Sequence, residues 1–391
     1  MTEWIKYKLG NIVKDIAMGP FGSNLKVDNF ISQGVPVIRG SNLNHYAFTD
    51  SKFVYVSEEK AMSLKRSLAY PDDLVFTHRG TIGQVGIIPK NKYPYYLVSQ
   101  SQMRLTVDLQ FVNPRFLYYF FLSPLGKKEL LRNSSQVGVP AIANPTRSLK
   151  EVNIHLPPLE VQSKAANILS SLDDKIELNL QMNKTLESIA QAIFKEWFVG
   201  EKNTSLSQYI DFNPKVSIPK GRLTKYVEMS DLPVSGFSIR TEVSRNYSNG
   251  SKFENNDTLL ARITPCLENG KTGFVDFLET NEYACGSTEF IVMRAKERIS
   301  PYYVYLVARD NNFREFAIKS MVGTSGRQRV QTDLLRSFLV PAIDIVKMDE
   351  FKNIVTPLFN RIKLNSDAIL ILSSMRDLLI PKLMTGKIRV A

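Results

Sequence analysis

Several short loops in this 391-residue chain combine glycine with side chains that donate hydrogen bonds or carry positive charge. In Met18-Gly19-Pro20-Phe21-Gly22-Ser23-Asn24-Leu25-Lys26, Gly19 and Gly22 let the backbone approach a partner closely, and Ser23, Asn24 and Lys26 offer donors. Arg39-Gly40-Ser41-Asn42 and Thr77-His78-Arg79-Gly80-Thr81 add more at the ends of strand-like runs, as do Gln100 and Gln102. In the second half, Arg262, Thr264, Lys271 and Gly323-Thr324-Ser325-Gly326-Arg327-Gln328-Arg329 are alike in kind. Arginine and lysine suit phosphates and guanine edges, asparagine and glutamine suit adenine edges, and Ser and Thr hydroxyls serve either. One such loop alone is an ordinary solvated turn. Their recurrence in both halves of a chain of formal net charge +12 points to a polyanion, with nucleic acid ahead of a membrane surface.

No catalytic constellation accompanies these loops. There is no phosphate-loop sequence and no dinucleotide glycine fingerprint. Asn113-Pro114-Arg115-Phe116 superficially resembles an adenine-methyltransferase motif but lacks its second proline, and it reads as a helix start. Asp344 with Glu350 and Lys352 reads as a solvated helix face rather than a nuclease site. Cys266 and Cys285 are the only cysteines, and His45, His78 and His155 are scattered, so neither a disulfide framework nor a metal site is expected. The first residues are not a signal peptide and no apolar run spans a membrane, which predicts a cytoplasmic setting.

The elements that must position the loops come in two copies. From Leu159 to Val199 apolar residues recur in steps of three and four, through Leu169, Leu172, Ile176, Asn179, Asn183, Leu186, Ala190 and Ile193. That is a coiled-coil seam with two asparagines in its middle. Leu358, Ile362, Asn365, Leu372 and Leu379 repeat Leu172, Ile176, Asn179, Leu186 and Ile193 at a displacement of 186 residues (358 − 172). Shorter matches extend the repeat to the rest of the chain: Val37 to Leu43 with Tyr226 to Leu232, Asp73 to Arg79 with Asp257 to Arg262, and Asn113-Pro114 with Ser300-Pro301. The expected fold class is α+β, with two similar mixed domains of β-rich core and two long helices.

Strands are expected in Asn29–Arg39, Lys52–Val56, Leu74–Thr77, Val85–Ile88 and Met103–Val107. A helix is expected from Pro114 to about Arg132, with Phe116, Leu117, Phe120 and Phe121 facing the core, and another from Pro301 to about Lys319. The polar stretch 201–220 reads as the passage between halves. The expected divisions are 1–155, 156–200, 201–340 and 341–391.

In their order, these motifs resemble the specificity subunits of type I restriction-modification systems. The carriers are Trp4 with Leu9-Gly10-Asn11-Ile12, Gly19-Pro20-Phe21-Gly22-Ser23, Val37 to Asn42, Asp73 to Gly83, Leu156-Pro157-Pro158-Leu159-Glu160-Val161-Gln162 and Leu383-Met384-Thr385-Gly386. The second copy departs at Met229, which stands where Gly40 does, and at Arg262 to Pro265, which lack the Arg79-Gly80 pair. The resemblance implies two target-recognition domains, each reading half of a bipartite, asymmetric site in double-stranded DNA. It implies an antiparallel coiled coil with pseudo-twofold symmetry that spaces them, and no catalysis or cofactor in this chain. Two modification subunits would bring S-adenosylmethionine and methylate adenine N6; restriction subunits would bring ATP and Mg. A stand-alone nuclease or methyltransferase with an unrecognised site is the competing reading, and a scaffold whose coiled coil binds only protein is a third.

A helix of about 40 residues is about 60 Å long at roughly 1.5 Å per residue, enough to set a separation of one DNA turn, roughly 34–36 Å. Asn179 and Asn365 lie near the helix centres, so they are expected to meet and fix register at some cost in stability. Pro357, whose counterpart is Ser171, is expected to kink the second helix or delay its start.

Overall fold

The structure, a computed structural model, describes residues 4–43, 53–90, 92–135, 138–241, 243–324 and 326–390. The chain forms two compact units: Met1–Glu177 with Leu370–Ala391, and Leu178–Ile369. Each is mixed α/β.

The first unit holds two four-stranded sheets. One is antiparallel, in the order Val13–Met18, Gln102–Val107, Leu74–Thr77, Val85–Ile87. The other runs Val54–Val56, Val35–Ile38, Tyr96–Val98, Leu68–Ala69, with a parallel pair in its middle. The second unit repeats both. Its antiparallel sheet is Ile210–Phe212, Phe290–Ala295, Thr258–Ala261, Thr272–Phe274, and its second sheet again pairs the two middle strands, Leu223–Val227 and Ala284–Gly286, in parallel. The register agrees with the sequence repeat, since Val37 faces Leu97 where Tyr226 faces Cys285.

The same turns recur at the same places. Arg39 N donates to Asn42 Oδ1 at 2.9 Å, and Glu228 N to Asp231 Oδ2 at 2.8 Å. Likewise Tyr70 N donates to Asp73, and Glu254 N to Asp257. A short polar side chain that bonds its own backbone stabilises a turn without help from the rest of the fold, so it can survive sequence divergence.

The aromatic stripe is core: Phe116, Leu117, Phe120 and Phe121 lie under the antiparallel sheet with Leu74, Phe76, Met103 and Leu105. Each such side chain stabilises the unit by about 1.5–3 kcal/mol. The single helix expected to Arg132 is instead two, Pro114–Leu122 and Pro124–Leu131. Pro124 cannot donate within a helix, and Ser123 caps the new start by accepting from Gly126 N. The counterpart also breaks, into Pro301–Arg309 and Asn311–Lys319, with Asp310 as the cap. The expected strand Asn29–Arg39 shortens to Val35–Ile38, and Lys52 lies outside the described residues. The stretch 201–220 is not a bare linker, because Lys202–Ser205 and Ile210–Phe212 in it are strands of the second unit.

The long helices are Leu159–Trp197 and Ile345–Leu383. Pro357 neither ends the second nor delays its start. In the first unit, Ala165 and Leu169 share a core with Ile380 and Leu383; in the second, Ala190 shares one with Val355, Phe359 and Ile362. The helices therefore run antiparallel. Gln162 ties the first to its unit, accepting from Asn113 N and donating to the Phe111 and Pro157 carbonyls. In the repeat Met348 takes that place, with Ser300 N against its Sδ at 3.5 Å.

The seam is closed around its asparagines, and Asn179 and Asn365 are both buried. Their expected meeting is corrected by the register. Asn365 Nδ2 donates to Asn183 Oδ1 at 2.9 Å, and Asn183 Nδ2 donates to Ser366 Oγ at 3.1 Å. The expectation placed helix centres, near Leu178 and Leu364, face to face; the real pairing is offset by about one turn.

Candidate nucleic-acid interface

In the first unit the expected loops converge on one edge of the antiparallel sheet. Gly19 N donates to Gln102 O at 2.8 Å, and a Cβ on Gly19 would sit 1.9 Å from the Ser99 carbonyl, so only glycine fits. A Cβ on Gly22 would meet Gln100 Oε1 at 2.5 Å. The loop after Met18 thus lies against the turn at Ser99–Gln100, and it presents Ser23, Asn24 and Lys26 to solvent.

Beneath lies a lattice of amides and hydroxyls. Thr77 Oγ1 donates to Gln84 Oε1 at 3.0 Å and accepts from Gln102 Nε2 at 3.3 Å, while Gln84 Nε2 donates to the Gly40 and Leu43 carbonyls. Asn42, Thr77 and Gln102 are buried at 0, 2 and 1 % exposure. Those three, expected to contact DNA, are buried beneath the exposed loops and bonded there. A buried polar side chain costs stability unless bonded, and here each is. Gln84 was missed by sequence reasoning, since an isolated glutamine after Gly83 has no periodicity to mark it.

His78 is buried with Nε2 3.2 Å from the Gln100 carbonyl, and burial pushes its pKa below the ordinary imidazole range. It is a neutral support. Arg79, Gly80 and Thr81 are exposed just beyond it, backed by the Gly80 N to Pro140 O bond of 2.8 Å. Arg39 is half-buried and Gln100 exposed at the same edge.

The second unit builds the corresponding edge with other residues. His78 N donates to Ser101 O, and Arg262 N to Glu289 O. Arg79 bridges to Ala141 where Ile263 bridges to Arg329. Arg262 therefore occupies the place of His78, and the place of Arg79 falls to Ile263. Arg262 Nη2 donates to Val330 O, and Thr264 Oγ1 accepts from Gln328 N at 3.1 Å. Lys271 Nζ is spent on the Met229 carbonyl at 2.5 Å. Arg329 is forked on Glu289 at 2.7–3.0 Å, which holds the Glu289 carboxyl below the usual range and offsets the arginine's charge. Thr324 and Arg327 are exposed, and Arg327 has no ion-pair partner among the described residues. Ser325 lies outside the described residues.

Two edges of one topology, each fringed with exposed cations and donors, can dock on a phosphate backbone and read base edges. Among the described residues no cluster of His, Cys, Asp and Glu could hold a metal ion, and no helix is long and apolar enough to cross a membrane.

Residues 1–188 match the family model of the type I restriction modification DNA specificity domain. Over its whole length the chain is 25% identical to the type I restriction enzyme MjaIX specificity subunit of Methanocaldococcus jannaschii, covering 97% of that protein. It is 29% identical to the HindI specificity subunit of Haemophilus influenzae over 51% of this chain and 41% of that one. The fold is shared with the crystal structure of the type I restriction-modification S subunit from M. genitalium, at a TM-score of 0.60 and 16% identity, covering 98% of this chain and 96% of that one. Residues 1–188 are thus similar to the type I restriction modification DNA specificity domain, and from end to end the chain is similar to a specificity subunit of a type I restriction-modification system.

Proposed function

We propose that this chain is the DNA sequence-specificity subunit of a type I restriction-modification complex and that it catalyses nothing itself. Each unit reads one half of a bipartite, asymmetric site in double-stranded DNA. The observation that carries this reading is the doubled loop edge: the same sheet order and the same turns, fringed by different side chains. Two copies of one reader with different fringes suit two different half-sites. The paired helices set the spacer and dock two modification subunits, which bring S-adenosylmethionine and methylate adenine N6; restriction subunits bring ATP and Mg. The complex works in the cytoplasm.

The test is to exchange residues 13–150 for the matching segment of a relative, assemble the complex with its partner subunits, and map methylated adenines across a genome. One half-site should change and the other persist. Methylation that keeps both half-sites would overturn the reading. So would methylation or cleavage by the purified chain alone, the outcome expected of a stand-alone enzyme. A heptad inserted in each helix should alter the spacer and leave both half-sites as they were.

A further inference from the structure

The second unit carries an open groove of about 580 Å³ walled by Lys215, Ser217, Ser251, Lys252, Arg262 and Thr288, with no carboxylate in its lining. Of these, only Arg262 stands out from the sequence. The register explains why the groove exists. Phe212 pairs with Met293 as Ile16 pairs with Leu105, so Lys215 stands where Gly19 stands in the first unit. Gly19 sits so close to Ser99 that any Cβ would collide with its carbonyl. A lysine cannot follow that path. Asn213 still bonds Val292 on the sheet, and the segment beyond it stands away from the sheet edge and leaves the groove.

Its two lysines, Lys215 and Lys252, form no ion pair among the described residues. Lys252 Nζ lies 5.1 Å from the Tyr247 ring centroid, a contact that orients an ammonium without neutralising it. Arg262 Nε is buried with no hydrogen-bond partner among the described residues. Ammonium groups act as point charges and, with hydroxyls, match phosphate oxygens; the one amide in the lining, Asn213, has its Oδ1 held by Val292 N at 2.9 Å.

We infer that this groove seats the DNA sugar–phosphate backbone of the second half-site, with Lys215 and Lys252 on phosphates. This rests on the proposed DNA-reading function. The two units then grip DNA differently: the first with a tight glycine loop, the second with a basic trough.

The test is binding of the full-length chain to a fluorescent mixed-sequence duplex of about 30 base pairs between 50 and 200 mM salt, wild type against K215A/K252A. Each lost phosphate contact lowers the slope of log K against log salt by about 0.9, so the double variant should lose about 1.8. Methylome mapping of the assembled variant complex should return unchanged half-sites. A slope equal to wild type, an equal loss in the distant pair K128A/K352A, or an altered second half-site would each overturn the proposal while leaving the specificity reading intact. A wild-type chain that binds no duplex at all would remove both.

Discussion

Asn365 and Asn183 are joined across the helix seam by a 2.9 Å hydrogen bond, and the repeat gives this bond no twin. At the 186-residue displacement the counterpart of Asn365 is Asn179, but the counterpart of Asn183 is Ile369. A polar pair that can form in one register only selects that register. Replacing Asn365 with leucine leaves Asn183 Oδ1 unpaired and should cost about 1–3 kcal/mol in urea unfolding. The double variant N183L/N365L should recover part of that loss. A double-mutant cycle with no coupling would show that the bond does not set register.

A buried carboxylate is held differently in the two units. Asp257 is fully buried against Arg294, with two bonds of 2.7 Å, whereas Asp73 accepts from Thr106 at 2.6 Å. Arg294→Met should therefore destabilise by about 3 kcal/mol, since it strands a buried charge. Thr106→Val should cost about 1–2 kcal/mol, the scale of one lost hydrogen bond to a carboxyl. Equilibrium unfolding of the two variants side by side checks the order.

His78 should make the first unit acid-sensitive. Its folded pKa is lowered by burial, so below the ordinary imidazole value of about 6.5 the unfolded chain binds the extra proton. The stability it contributes is present above that value and lost as pH falls towards the folded pKa. The melting-temperature advantage of wild type over H78Q should shrink between pH 7.5 and 5. An advantage that holds constant would place the imidazole in solvent.

Glu289 restrains a cation at the second edge. In E289Q the carboxylate charge on Arg329 is gone, and DNA affinity at low salt should rise, with a salt slope steeper by about 0.9. Titration of the same duplex with wild type and variant reads this directly. An unchanged slope would mean that Arg329 does not face DNA.

Much of this was legible in residues. The repeat predicted the doubled topology because Asx turns such as Arg39–Asn42 and Glu228–Asp231 are local and survive divergence. The two long helices followed from a seam that occurs twice, and their antiparallel pairing from the family resemblance. Side-chain depth was not legible: Asn42, Thr77 and Gln102 look like surface donors in sequence, yet tertiary packing turns them inward, where Gln84 completes their bonds. The seam offset escaped for a similar reason. Helix length predicts facing centres, but the choice of Asn183 over Asn179 depends on how the sheets seat each helix. The trough beside Lys215 was invisible because it arises from a collision that only coordinates reveal.

The first unit is discontinuous in sequence: it takes Ile380, Leu383 and Met384 into a core begun by Leu9 and Ile12. The second unit, 178–369, is uninterrupted. Translation therefore inverts the usual order. The later-encoded unit has its full sequence first, while the earlier one still lacks residues 370–391 and has a partly open core. Until those final turns emerge, the nascent chain can hold a finished second unit and only an unfinished first one.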